Sequence, residues 1–205
     1  MAQNQVQSEF ITDGAITSAK LAVSAAVANI GAGGITTNEI ADANVTPAKL
    51  SQPLTQGTAQ ATTSGTSKDF TGIPSWVKRI TVMLKGVSTS GTSNLLIQIG
   101  SGSVTSTGYT SASWSANVNN ATSTAGFIQT AVVAAVSTFH GSATICSMGS
   151  NIWVESHALG DNSAQLCNSV GGGSVTLAGA IDRVRVTTVN GTDTFDAGSI
   201  NILYE

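Results

Sequence analysis

Three arrangements of residues in this sequence could carry chemistry. In His157-Ala158-Leu159-Gly160-Asp161 two ligand-type side chains stand four apart, with His140 available as a third donor. From a loop such residues could hold a divalent metal, but the spacing matches no metal motif, and solvated loop residues are the expectation. Glycoside cleavage needs two carboxylates facing across a groove. The candidates are Asp69, Glu155, Asp161, Asp182, Asp193, Asp196 and Glu205; Asp193 and Asp196 lie just past Asn190-Gly191, where solvated acids are expected. Gly171-Gly172-Gly173 lacks the Lys and the following helix of a phosphate cradle, and reads as a flexible strand connection. No Gly-x-Ser-x-Gly elbow is present. An enzyme, a cofactor and a bound metal are therefore not expected.

Binding is the remaining chemistry. Trp114 lies in the polar stretch 110–124, whose Ser and Asn residues argue against a core strand. Its indole is either exposed for binding or packed between subunits. Tyr109, Asn117, Asn119 and Asn120 are the accompanying candidates for contact with a receptor. Trp76 follows Pro74 at a strand entry and is expected to cap a core; Trp153 alternates within 152–156 and is expected inside it. Cys146 and Cys167 lack metal-site spacing and read as small buried hydrophobes, a disulfide between them being the alternative.

The elements that position these residues are strands. Ile80, Val82 and Leu84 alternate with Thr81, Met83 and Lys85, the period of a half-buried strand. Further strands are expected over 94–99, 103–109, 127–131, 143–148, 152–156, 163–167, 174–178, 182–189 and 194–204. Asn190-Gly191 reads as the turn of a hairpin joining the last two. Residues 131–136 form an apolar run that periodicity does not assign. Many short strands with Gly, Ser and Asn turns indicate a β-sandwich or a jelly-roll-like head over 66–205, entered by a linker over 52–65.

Charged residues are only 9% of the chain, against roughly 25% in an ordinary globular protein. With a net charge of −3 and its basic residues scattered, the chain has no face for nucleic acid. No stretch approaches the roughly 20 apolar residues that span a bilayer, so no membrane insertion is expected. The interval 21–34 has no basic n-region and is not read as a signal peptide.

Residues 1–51 contain Phe10 as their one aromatic, and carry a short pattern three times: Ile16-Thr17-Ser18-Ala19-Lys20-Leu21, Ile35-Thr36-Thr37-Asn38-Glu39-Ile40 and Val45-Thr46-Pro47-Ala48-Lys49-Leu50. Thr17, Thr36 and Thr46 are placed as N-caps, and Thr36 with Glu39 fits a capping box. Ile16 and Leu21, Ile35 and Ile40, and Val45 and Leu50 then occupy staple positions around one helical turn. A single turn is unstable alone in water. Neighbouring copies of the chain are the expected cover, which makes these six residues candidates for trimerisation and attachment.

These repeats resemble those of bacteriophage tail-fibre proteins. The C-terminal half resembles small tail-fibre head domains in Phe70-Thr71-Gly72-Ile73-Pro74, in Asp182-Arg183-Val184-Arg185-Val186 and in the ending from Phe195 to Glu205. The resemblance implies a homotrimeric virion component, assembled in the cytoplasm of the bacterial host. Its N-terminal stalk would dock on other tail or adaptor proteins, and its β head would meet a glycan or protein of the host surface. The alternative is a purely structural fibre, such as a head fibre or shaft section, without a receptor role; a carbohydrate-active spike enzyme is the remoter one.

Overall fold

The computed structural model describes residues 45–46, 49–115, 120–131, 133–163 and 168–205. The chain divides into two units, Met1–Leu50 and Ser51–Glu205. In the first, the Lys49 amide donates to the Thr46 carbonyl at 2.9 Å, the bond that an N-cap Thr sets up. Val45 and Leu50 are exposed. Ile16, Leu21, Ile35 and Ile40 lie outside the described residues.

The second unit is all-β, with fourteen antiparallel strands in two sheets among the described residues. The larger sheet runs β1 (Thr55–Gln56), β14 (Phe195–Tyr204), β4 (Arg79–Thr89), β10 (Phe139–Gly149), β11 (Ile152–Asp161), β12 (Ser169–Thr176), β7 (Thr110–Ser115), β8 (Asn120–Ser123). The short β2 (Gln60–Ala61) also pairs with β14. The smaller sheet runs β3 (Ser67–Thr71), β13 (Arg183–Thr188), β5 (Leu95–Ser101), β6 (Ser103–Val104), and β9 (Phe127–Ile128) pairs with β5. Ile80, Val82 and Ile145 of one sheet share a single core with Ile97, Ile99, Val184 and Val186 of the other, the packing of a β-sandwich. Each such side chain, removed fully from water, contributes roughly 1.5–3 kcal/mol.

Several local expectations change. The stretch 52–65 is not a free connection: β1 and β2 both pair with β14. Of the strand expected over 103–109, only β6 forms. Gly171-Gly172-Gly173 is no loop but the middle of β12, paired on both sides. In the run 131–136, Val133 is buried and Val136 exposed, and the Ser137 amide closes a turn on the Ala134 carbonyl at 2.8 Å.

The hairpin turn is elsewhere than Asn190-Gly191. β13 and β14 belong to different sheets, so the Asn-Gly pair makes a crossover. There Gly191 has φ +66° and donates to the Thr188 carbonyl at 3.1 Å. Asn190 Oδ1 accepts from the amides of Thr192 and Asp193 and from the Thr188 hydroxyl, a side-chain turn in place of a hairpin. The two-residue hairpin joins β10 to β11 at Ser150-Asn151, whose φ values of 51° and 60° are those of a type I′ turn.

Candidate functional site

The larger sheet carries a distinct arrangement on each face of its β11, β12, β7 and β8 end. In β7, Ser111, Ser113 and Ser115 point inward while Thr110, Ala112 and Trp114 point out. β12 pairs with β7 so that Val170 lies opposite Trp114 and Gly172 opposite Ala112. β8 closes the edge, with Asn120 opposite Trp114 and Thr122 opposite Ala112. The sequence argument against a strand here fails because Ser occupies the inner positions: their hydroxyls find partners, so small polar residues line a buried face.

On the outer face Trp114 is 53% exposed, with Val170 beside it at 49%. One residue pair along, a depression of about 710 Å³ opens over Ala112 and Gly172, bordered by the outward Thr110, Thr122, Thr124 and Ser174. No ionisable side chain points outward from β11, β12, β7 or β8. The smaller sheet differs: Arg185 makes a two-pronged ion pair with Asp69 at 2.7 and 2.8 Å, and Arg183 does the same with Asp182 at 2.8 and 3.0 Å. The Arg183 pair, helped by a bond from the Gly102 amide, holds the Asp182 carboxyl below its ordinary value.

Of the five receptor-contact candidates, Trp114 and Asn120 share this face. Tyr109 does not. It is 2% exposed, packs edge-on against Phe127 with ring centroids 4.9 Å apart, and its hydroxyl accepts from the Ile99 amide at 2.8 Å while donating to the Ile99 carbonyl at 3.2 Å. Its ring ties β7 to β5 across the core. Burial pushes its phenol up to about 12 against the opposing effect of the Ile99 bond. Asn117 and Asn119 lie outside the described residues. Trp153 is buried, and Trp76 caps the core against Tyr204, both as expected.

The inner face holds a buried polar network. His157 and Asp161, expected on a loop, alternate on β11 with Trp153, Glu155 and Leu159, and all five point inward. His157 Nδ1 lies 2.9 Å from Glu155 Oε1, and its Nε2 lies 3.1 Å from Ser113 Oγ. Gln129 Nε2 donates to the same Glu155 oxygen at 3.1 Å. A hydroxyl, an imidazole and a carboxylate in sequence is the arrangement that activates a nucleophile. Here it is sealed: the His157 and Glu155 side chains are fully buried, and Ser113 is 1% exposed. No substrate reaches the hydroxyl in this conformation.

The network has a structural role. Residues 127–131 and 133–138 lie largely buried beside the larger sheet, and buried backbone polar groups there must be paired. Ser111 Oγ accepts from the Ile128 amide at 2.9 Å, and Thr130 Oγ1 accepts from the Leu95 amide at 2.9 Å. Asp161 accepts from the Ser137 hydroxyl and Thr138 amide, and from the amide and hydroxyl of Ser163. Burial raises the Asp161 carboxyl, but these bonds outweigh it and hold the group below its ordinary value. His140 sits apart and exposed on β10, its Nδ1 accepting from the Gly86 amide at 3.2 Å. Cys146 is half-buried and free, not in the core as expected; Cys167 lies outside the described residues.

Ser113 and Gln129 are not candidates on sequence grounds, and Glu155 is one only as a member of the set of acids. The signal for one of them was present, since Glu155 and His157 stand two apart in an alternating stretch and so share a face. No family model, curated protein or solved structure matches the chain.

Proposed function

We propose that this chain is a structural component of a bacteriophage tail fibre. It is a homotrimer, held to other tail or adaptor proteins of the virion by an extended N-terminal stalk with short helical turns. Its β head contacts a glycan or protein of the host surface and catalyses nothing. The resemblance of both halves supports the family. The observation that carries the contact role is Trp114, a large aromatic held in the open on a rigid strand, where β11, β12, β7 and β8 present no ionisable side chain outward. A rigid scaffold presenting an aromatic anchor is how recognition surfaces concentrate binding energy.

Adsorption competition tests this reading. Purified full chain, added before phage, should slow adsorption to a susceptible host, and Trp114→Ala should compete poorly. Failure of the wild-type chain to slow adsorption to any host would leave the purely structural fibre. Light scattering at micromolar concentration should give a mass of three chains; the mass of one would remove the trimer.

A further inference from the structure

Resting on the reading of the head as the surface-contacting part, we propose that the depression beside Trp114 binds an uncharged carbohydrate. Its floor is shaped by what is missing: Ala112 and Gly172, opposite each other, leave the strand backbones nearly bare. A side chain at Gly172 is excluded, because a Cβ there would lie 2.7 Å from the Glu155 carbonyl oxygen. The rim carries the hydroxyls of Thr110, Thr122, Thr124 and Ser174. The indole of Trp114 stands one pair further along the same face, two residues from Ala112 on β7.

These features select a ligand by chemistry. A pyranose has one face of C–H groups, which an indole covers, and a periphery of hydroxyls, which exchange hydrogen bonds with Ser and Thr. The volume of about 710 Å³ lies within the range of roughly 300–1,000 Å³ usual for small-ligand sites. Charge decides the rest. An anionic or cationic ligand would lose hydration here without meeting a counter-charge, because β11, β12, β7 and β8 present no ionisable side chain outward. A neutral polyol suffers no such penalty.

The test uses the full chain with gluco-, galacto- and manno-configured tetrasaccharides, and a sulfated tetrasaccharide as the charged comparison. Binding is read by titration calorimetry, which does not depend on the indole, with light scattering in parallel. At least one neutral configuration should give a saturable heat of binding. Trp114→Ala should weaken binding at least about tenfold, with Trp114→Phe retaining part of it. Ala112→Gln, which fills the floor, should abolish binding while the β spectrum and the mass stay unchanged. The proposal is overturned if no neutral probe binds, if the sulfated probe binds as well, or if Trp114→Ala leaves binding intact. A fall in mass on Trp114→Ala also overturns it, because the face would then be a contact between copies. The two readings fail separately. Adsorption competition that depends on Trp114 without binding of any neutral probe refutes the carbohydrate and keeps the host contact. Neutral-sugar binding through Trp114 by a chain that never slows adsorption does the reverse.

Discussion

His157 reaches Ser113 across an intervening strand: its Nε2 lies 3.1 Å from the Ser113 hydroxyl, while Gly171 of β12 stands between the two residues in register. The imidazole thus lies over a glycine, and three strands are tied by side chains as well as by the backbone ladder.

Removing the ring should be costly. His157→Ala leaves Glu155 buried without its imidazole partner and Ser113 without its acceptor or donor. The expected loss is on the order of 2–4 kcal/mol, whereas Ser113→Ala, which orphans one ring nitrogen, should cost about 1–2 kcal/mol. Urea denaturation reads both as a fall in midpoint at unchanged slope. Equal losses from the two variants would mean that the carboxylate contributes nothing through the ring.

Gly171→Ala offers a sharper probe. In an ordinary strand this change is favourable by about 0.5–1 kcal/mol, because glycine loses the most freedom on folding. Here the added Cβ would lie 2.5 Å from His157 Cε1 and 2.3 Å from the Ala112 carbonyl oxygen. The ring can turn away; the backbone oxygen cannot. The expected result is a loss of about 2–3 kcal/mol. Less than the full loss should reappear in a His157→Ala background, because one of the two clashes is then gone. A stabilised Gly171→Ala would show that neither the ring nor the Ala112 carbonyl crowds this position.

Much of this was legible in the residues, and the remainder has identifiable causes. Alternation placed Ile80, Val82 and Leu84 in the core, and Trp153 with them, because side-chain period alone decides which face is buried. It misled where small polar residues face inward. Ser111, Ser113 and Ser115 look like loop composition, yet each is buried; Ser111 accepts the Ile128 amide, Ser113 meets His157 and Ser115 meets Ser169. That pairing arises from residues 40 or more positions away for His157 and Ser169, which no local window contains. Tyr109 was misplaced for the same reason. Its neighbours are polar, but its hydroxyl is satisfied by Ile99 deep in the core.

That hydroxyl gives a pH dependence. The Tyr109 phenol is raised from 10.0 to about 12 by burial, so the folded chain holds its proton more tightly than the unfolded one. The stabilising contribution is therefore fully present below about pH 10 and is lost as pH rises toward 12, in total on the order of 2–3 kcal/mol at about 1.4 kcal/mol per unit. Stability measured across this window should fall less steeply in Tyr109→Phe than in the wild type. Identical slopes would mean that the phenol ionises freely in the folded state.

Asp161 acts at the other end of the scale. Its carboxyl is held below the ordinary value by bonds from Ser163, Thr138 and Ser137, against the opposing effect of burial. The folded state thus releases this proton more readily, and the benefit is present above the unfolded value near pH 4 and disappears as pH falls through the folded one. In Asp161→Asn the amide oxygen can keep the Thr138 and Ser163 amides, which both donate to Oδ1, while the NH₂ takes the place of Oδ2 and the Ser137 and Ser163 hydroxyls turn to accept from it. The charge on the acceptor is lost, so a loss of roughly 1–2 kcal/mol at neutral pH is expected, with a flatter decline in acid. Equal acid slopes in the two proteins would put the acid sensitivity elsewhere.

The two turns make opposite predictions for glycine. Asn151 lies in the left-handed region at φ 60°, where a side chain strains the backbone, and it occupies the second central position of a type I′ hairpin between β10 and β11. Asn151→Gly should relieve that strain and raise stability by about 0.5–1 kcal/mol after the entropy of the extra glycine is subtracted. Gly191, at φ +66° in the crossover from β13 to β14, already uses this freedom, so Gly191→Ala should cost about 1 kcal/mol although nothing lies within 4 Å of the added carbon. Because the Gly191 site is sterically open, any loss there reports backbone conformation alone. Thermal melts of the two variants should therefore move in opposite directions. A gain at Gly191 would show that the Asn190-Gly191 segment adopts another turn than the one that carries the chain between the sheets.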